Sequence, residues 1–373
     1  MRFIIFSCFF YAFSAFGSFL DEIGQLTAKE LTRQLREEER QPNRTYPNKI
    51  HDATLKTYDI PKRQANLIYD IQQPCISPRG DWIAYISNRT LYIVPTINKS
   101  KSAIVLNEKS IGNLHFTTTG FLTFPSKNSV KIIELKNGDT WTLYLPEKAT
   151  PVRIVGSKEN NIIVLSTAQN GYHLYRIDIK KGTSQDITDQ PIIKNGSSQP
   201  TILFDKKMDL VLIRDNKNIF VIDQKGKKAL VEQAVNNDQY ISLSNGVCCK
   251  FSKNKNGNIS LIFWDLKRSQ KKEALLPADR FSDCSVAFDA NGIPQFVGIK
   301  STKTNFFLPN SEVAKKSLTR LRNSLGGKFF YIIDTTHDKK IWLICVVDSH
   351  NQKECYIYDV RNGSLKSIRT KMP

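Results

Sequence analysis

The sequence predicts an all-β fold, a β-propeller of about seven four-stranded blades with an N-terminal helix and a helical insertion near 311–325. Three observations predict it. Short β-type segments alternate with turns rich in Asn, Asp, Gly and Lys, one strand pattern recurs at nearly constant spacing, and the repeating region has the length a closed ring needs.

The recurring strand reads Leu91-Tyr92-Ile93-Val94, Ile132-Ile133-Glu134-Leu135, Leu174-Tyr175-Arg176-Ile177-Asp178, Ile219-Phe220-Val221-Ile222-Asp223, Leu261-Ile262-Phe263-Trp264-Asp265 and Tyr356-Ile357-Tyr358-Asp359. Its centres fall near residues 93, 133, 176, 221, 263 and 357, so the first four steps are 40, 43, 45 and 42 residues and the last, 94, spans two periods. Gln295 to Leu308 fills the missing unit. Residues 77–368 divide into seven units of about 42, each an apolar strand followed by an acidic or polar turn and a glycine. A parallel β-solenoid would need shorter, Gly-rich repeats, and the chain has only 18 glycines in 373 residues. Behind Ser311, the residues Val313, Ala314, Leu318, Leu321 and Leu325 recur at helical spacing until Gly326-Gly327 stops them.

The chain ahead of the repeats divides in two. Residues 1–17 read as a signal peptide: Met1-Arg2, the apolar run from Phe3 to Phe16, and Ala15-Phe16-Gly17 as a small-x-small cleavage site before Ser18. An uncleaved anchor is the alternative, but the run falls short of the ~18–20 apolar residues of a span. The mature chain is therefore expected to be secreted or periplasmic, with no stable membrane span. Residues 18–74 are expected to hold a helix opened by the capping box Thr27-Ala28-Lys29-Glu30 and then an extended lead-in, with the propeller occupying 75–373. That helix is read either as a solvated appendage or as a partner-binding element.

Composition excludes disorder, collagen and a coiled coil, since 40% hydrophobic and 24% charged residues are near the globular average. The net charge of +19 is spread over lysine runs such as Lys225 to Lys228 and Lys267 to Lys272. In an exported chain these form a solvated basic face or meet a polyanion or anionic membrane, and nucleic acid is not an expected partner. Metal catalysis needs clustered ligands, whereas His51, His115, His173, His337 and His350 are scattered without HExxH or paired CxxC. Gly-x-Ser-x-Gly, Asp-Thr-Gly and a Gly-rich phosphate loop are absent too. No catalytic, cofactor-binding or metal-binding residue is assigned, and no cofactor is expected.

One residue pair stands out. A hairpin symmetric about His350 sets Cys345 opposite Cys355, with Cβ atoms about 4.5–5.5 Å apart, within reach of a disulfide if the pair is of the non-hydrogen-bonded type. Two buried thiols are the alternative.

Ser77-Pro78-Arg79-Gly80-Asp81-Trp82-Ile83-Ala84-Tyr85 resembles the blade opening shared by TolB-like proteins and the propellers of prolyl-oligopeptidase-type serine peptidases. The order Asp289-Ala290-Asn291-Gly292, helix, Gly326-Gly327-Lys328, Asp338 to Trp342, Tyr356-Ile357-Tyr358-Asp359 and Gly363-Ser364-Leu365 is similar to the late propeller of the dipeptidyl/acylaminoacyl-peptidase branch of that family. There the propeller gates an α/β-hydrolase domain that carries the Ser, Asp and His of the triad. The sequence ends at Pro373, about where such a domain would begin, so no triad residue carries over. The resemblance thus implies the non-catalytic propeller half of such a peptidase, either truncated or split from a separately encoded α/β-hydrolase chain that it would dock and whose substrates it would gate. The alternatives are a self-standing TolB-like scaffold that binds a peptide or protein ligand at its funnel, and a decayed gene product.

Overall fold

The second strand of a blade shows why these residues build a propeller. In Trp82–Ser87 all six side chains are buried, because the strand is covered on both faces. Alternation then sends its odd and even residues to different neighbours. Trp82, Ala84 and Ile86 pack with Leu114, Phe116, Leu122 and Phe124 of the second blade, while Ile83 and Tyr85 pack with Leu343 and Cys345 of the last. The same split recurs in the third blade, where Ile162 and Val164 face the second blade and Ile163 and Leu165 face the fourth. Near-continuous apolar runs are what a sheet buried on both faces requires.

The computed structural model describes residues 46–47, 49–54, 57–58 and 71–368, apart from short stretches between strands. The residues expected to form a signal peptide (1–17) and an N-terminal helix lie outside the described residues. Seven antiparallel sheets span 72–107, 115–144, 150–186, 201–233, 239–275, 281–309 and 330–367. Their first strands touch in cyclic order, from Gln72–Ile76 through each later first strand to Phe330–Thr335 and back to Gln72–Ile76. The recurring segment of the sequence is the third strand of its blade in every case, for example Asn218–Ile222 and Lys353–Asp359.

Six blades carry four consecutive strands, and the sixth sheet carries three. This corrects the expectation of seven four-stranded blades. After the third strand, Asn305–Pro309, the chain runs into the helix Glu312–Ser324, the single short helix among the described residues, where a fourth strand would otherwise form. Leu318, Leu321 and Leu325 of this segment cover Phe330, Trp342, Ile344 and Val346 of the last blade. The Tyr358 hydroxyl donates to the Ser317 carbonyl at 3.2 Å and ties sheet to helix.

The segment ahead of the first blade contributes three further strands. Tyr46–Pro47 pairs with the outermost strand of the third blade, Lys49–Thr54 with that of the second and Thr57–Tyr58 with that of the first. The chain thus crosses three outer edges in reverse order before it enters the ring.

Two turns repeat. Between first and second strands a hydroxyl closes the loop: Ser77 Oγ accepts from Trp82 N–H at 3.0 Å, Thr117 Oγ1 from Phe121 N–H at 3.1 Å and Thr336 Oγ1 from Ile341 N–H at 3.1 Å. Between third and fourth strands the residue four positions after Glu134, Asp178 and Asp359 donates its N–H back to that residue's carbonyl. These residues are Gly138, Gly182 and Gly363, with φ of 78°, 70° and 73°. In the fifth blade Ser269 takes the left-handed conformation instead, at φ 50°. A side chain there costs about 1–2 kcal/mol, partly offset by the extra chain entropy that glycine loses on folding. Ser269→Gly is therefore expected to raise, and Gly182→Ser to lower, the denaturant midpoint, each by the equivalent of about 1 kcal/mol, as measured by urea unfolding.

Candidate functional site

The inner wall is formed by the first strands of the seven blades, which touch in cyclic order, and most of these strands are irregular. Five of the seven first strands lose register: at Gln72/Cys75, at Pro151/Arg153 and Ile154/Gly156, at Tyr240/Ser242, at Phe281/Asp283 and Ala287/Phe288, and at Ile332/Asp334. A bulge bends the strand and re-aims the skipped side chain. Ile333 is such a residue, and it is 40% exposed although it belongs to an innermost strand.

Arg153 stands between the two irregularities of the third blade. Its Nη2 donates to the Ile202 carbonyl at 3.2 Å and so bridges the first strands of the third and fourth blades. Its Nε is buried without a hydrogen-bond partner, and no described carboxylate forms an ion pair with it. Burial pushes its guanidinium below the usual arginine range. An anion placed there would restore what desolvation takes away.

Two other charged clusters join neighbouring blades. Asp209, in a tight turn of the fourth blade, receives Arg176 at 3.2 and 3.5 Å, and Lys158 lies 3.8 Å away. Between the fourth and fifth blades, buried Lys250 reaches Asp238 Oδ2 at 2.5 Å, Glu232 Oε1 at 3.2 Å and the Tyr240 hydroxyl at 3.3 Å. Its ammonium also lies 5.4 Å from the Trp264 ring centroid, and Lys271 pairs with Glu232 from the outside. Alternation along Val247–Lys253 explains the arrangement, because Cys248 and Lys250 face the fourth blade while Cys249 faces the sixth.

The chemistry of these groups is inert. Burial would lower the Lys250 pKa, but the hydrogen bond to Asp238 and the charges of Asp238 and Glu232 overcome it and raise it, so the amine stays protonated and is no nucleophile. Burial pushes the Cys248 thiol up to about 12 and raises that of Cys75 as well, which keeps both from forming thiolates. Lys339 moves the other way. Burial lowers its pKa against the pull of Asp334, and its ammonium donates to Thr335 Oγ1 at 2.9 Å in a turn between strands.

His173 has the partners of a catalytic base in the wrong order. Its Nδ1 meets Asp186 Oδ2 at 2.7 Å and its Nε2 meets Asn170 Oδ1 at 2.8 Å. Thr188 Oγ1 donates to Asp186 Oδ1 at 2.6 Å and lies 3.4 Å from the same Nδ1. A relay needs hydroxyl and carboxylate on opposite ring nitrogens. Burial would raise the Asp186 carboxyl, yet the hydrogen bonds from His173 and Thr188 hold it below the usual range. The group fastens the third strand of its blade to the end of the fourth.

The pair singled out in the sequence is brought together: Cys345 and Cys355 are direct partners in the last blade, and both are buried. Nothing local in the sequence marks Arg153, because its partner Ile202 comes from the next blade, 49 residues on. Lys250 has a local signal that sequence reasoning misses, since Asp238 and Tyr240 lie 12 and 10 residues before it and Tyr240 is its cross-strand partner. For His173 and Thr188 a local signal exists, since Asp186-Ile187-Thr188 closes an Asx-type turn with Thr188 N–H on Asp186 Oδ1 at 2.8 Å.

No family model matches the chain, and no curated protein matches it. Among solved structures the chain is similar to the tricorn protease, with 13% identity and TM-score 0.44 over 77% of this chain and 34% of that one. It is also similar to an oligogalacturonate lyase in complex with manganese, with 10% identity and TM-score 0.46 over 87% and 85%. A TolB-type protein from Agrobacterium tumefaciens gives 11% identity and TM-score 0.39 over 55% and 80%. The chain spans about a third of the tricorn protease chain.

If the Lys250 cluster is structural, its removal has a definite cost. Lys250→Met strands the Asp238 carboxylate and is expected to destabilise by about 3–5 kcal/mol. Adding Asp238→Asn removes that buried charge and should recover most of the loss in chemical denaturation. A single substitution costing under about 1 kcal/mol contradicts this.

Proposed function

We propose that the protein is an exported, non-catalytic β-propeller that binds an extended peptide or protein segment at its inner rim. The observation that carries this reading is Arg153, a guanidinium on an innermost strand that bridges to Ile202 without a described ionic partner. A peptide carboxylate, from a C-terminus or an acidic side chain, is the complementary group, since the planar guanidinium fork matches it. The bulges of the first strands support the same reading, because the one at Ile332/Asp334 leaves Ile333 exposed on an innermost strand, where an apolar ligand side chain could cover it.

The resemblance to prolyl-oligopeptidase-type gating propellers adds a partner. A separately encoded α/β-hydrolase chain would dock on the ring, with this chain restricting which peptides enter. The non-catalytic part of the proposal is supported by the state of the candidate nucleophiles: a protonated lysine, buried thiols of raised pKa, and a threonine on the wrong side of its histidine.

The test has two arms. A panel of aminoacyl and acyl-aminoacyl chromogenic amides is expected to be left intact by the chain alone, and turnover abolished by a serine-directed inhibitor would contradict the reading. An array of decapeptides with free or amidated C-termini and varied acidic content should yield binders that Arg153→Met weakens about tenfold, roughly 1.4 kcal/mol, at unchanged circular dichroism. Binding of no peptide, or binding indifferent to Arg153, rejects the rim as the site.

A further inference from the structure

The last blade holds a second built feature, independent of the rim. Cys345 lies directly opposite Cys355 on the paired strands Ile341–Val347 and Lys353–Asp359. The Cys355 carbonyl accepts from Ile368 N–H at 2.9 Å, just beyond the fourth strand Ser364–Ser367. Within a β-strand the N–H and C=O of one residue point to the same side. Cys355 therefore turns its backbone polar groups toward the fourth strand and away from Cys345, which makes the pair the non-hydrogen-bonded type. That type has the closer antiparallel spacing, about 4.5 Å between Cα atoms, inside the range that disulfides span. Both side chains also leave the sheet on one face, where they pack with Ile71, Ile76, Ile83 and Tyr85 of the first blade.

Cys248 and Cys249 are adjacent on one strand and join different clusters, and Cys75 faces the second blade, on the far side of the first-blade sheet from the Cys345 pair.

The geometry points to Cys345 and Cys355 as a reversible cross-strand disulfide that staples the last hairpin beside the seam where the ring closes. The co-reactant is a small-molecule or protein disulfide, such as oxidised glutathione. One cysteine thiolate attacks its S–S bond and releases one thiolate. The second cysteine thiolate then attacks the mixed disulfide and releases the other. Two protein thiols become one S–S bond, and the oxidant's S–S bond becomes two thiols. Since Cys345 is 5% exposed and Cys355 1%, the exchange takes place before the first blade closes over the hairpin or when that seam opens.

The full chain is refolded and equilibrated in glutathione buffers of oxidising and reducing ratio, quenched by alkylation in denaturant, and digested with trypsin without reduction. Cleavage after Lys340, Lys353 and Arg361 separates the two cysteines into peptides 341–353 and 354–361. The expected result is a linked 341–353/354–361 species from the oxidising buffer, converted to two alkylated peptides in the reducing one. The thermal midpoint should be higher in the oxidising buffer for the natural chain and equal in both buffers for Cys355→Ala. Both cysteines alkylated after the oxidising treatment, or linkage only to other cysteines, overturns the assignment. Because the linked peptide is read from the natural chain, the digest decides between these outcomes even if the variant fails to fold.

Discussion

The ring depends on the junction between its first and last blades. All four main strands of each of these blades are consecutive in the chain, so neither lends a strand to the other. What joins them is side-chain chemistry. The Asp334 carboxylate accepts the Ile76 N–H at 3.0 Å, and the His337 N–H donates to the Pro78 carbonyl at 2.8 Å. Around these bonds Ile71, Ile76, Ile83 and Tyr85 interlock with Leu343, Cys345, Cys355 and Ile368. The first bond spans 258 residues, and closing so long a loop costs on the order of 5 kcal/mol beyond a constant. Each fully buried aliphatic side chain returns about 1.5–3 kcal/mol, so the apolar cluster outweighs the closure entropy and the hydrogen bonds set the register.

Packing at the junction is tight where the backbone is special. Gly80 has φ +77°, and a Cβ there would come within 2.9 Å of Ile341 Cδ1 and Thr336 Cγ2 of the last blade. The glycine of the Ser77-Pro78-Arg79-Gly80-Asp81-Trp82 opening is thus needed twice, for its turn and for its neighbour. By contrast, the strands of 46–58 brace the outer edges of the first three blades and leave the last one to the seam.

Much of this fold is legible in the sequence, for physical reasons that also mark where legibility ends. The third strands stand out because each is a short apolar run joined to the turn that follows it, as at Asp178 to Gly182 and Asp359 to Gly363. The Cys345–Cys355 register is readable because a hairpin is a local structure. The three-stranded sixth sheet escapes a strand count based on length, since the helix Glu312–Ser324 spends that length without a strand. The pairing of 46–58 is not readable, because an added edge strand contributes backbone hydrogen bonds and needs no apolar pattern of its own. Arg153 is invisible for a third reason: a charge inside an apolar strand that bridges to the next blade acquires meaning only from that blade.

Native-state hydrogen exchange tests ring closure most directly. The amides of Ile76 and His337 are compared with those of third-strand residues such as Tyr175, the partner of Val164, and Phe220. If the seam is an integral part of the ring, the Ile76 and His337 amides exchange only through global unfolding, as slowly as the third strands. Rapid exchange at Ile76 and His337 while Tyr175 and Phe220 stay protected would show a ring that opens on its own, and would contradict a closure held by the first and last blades.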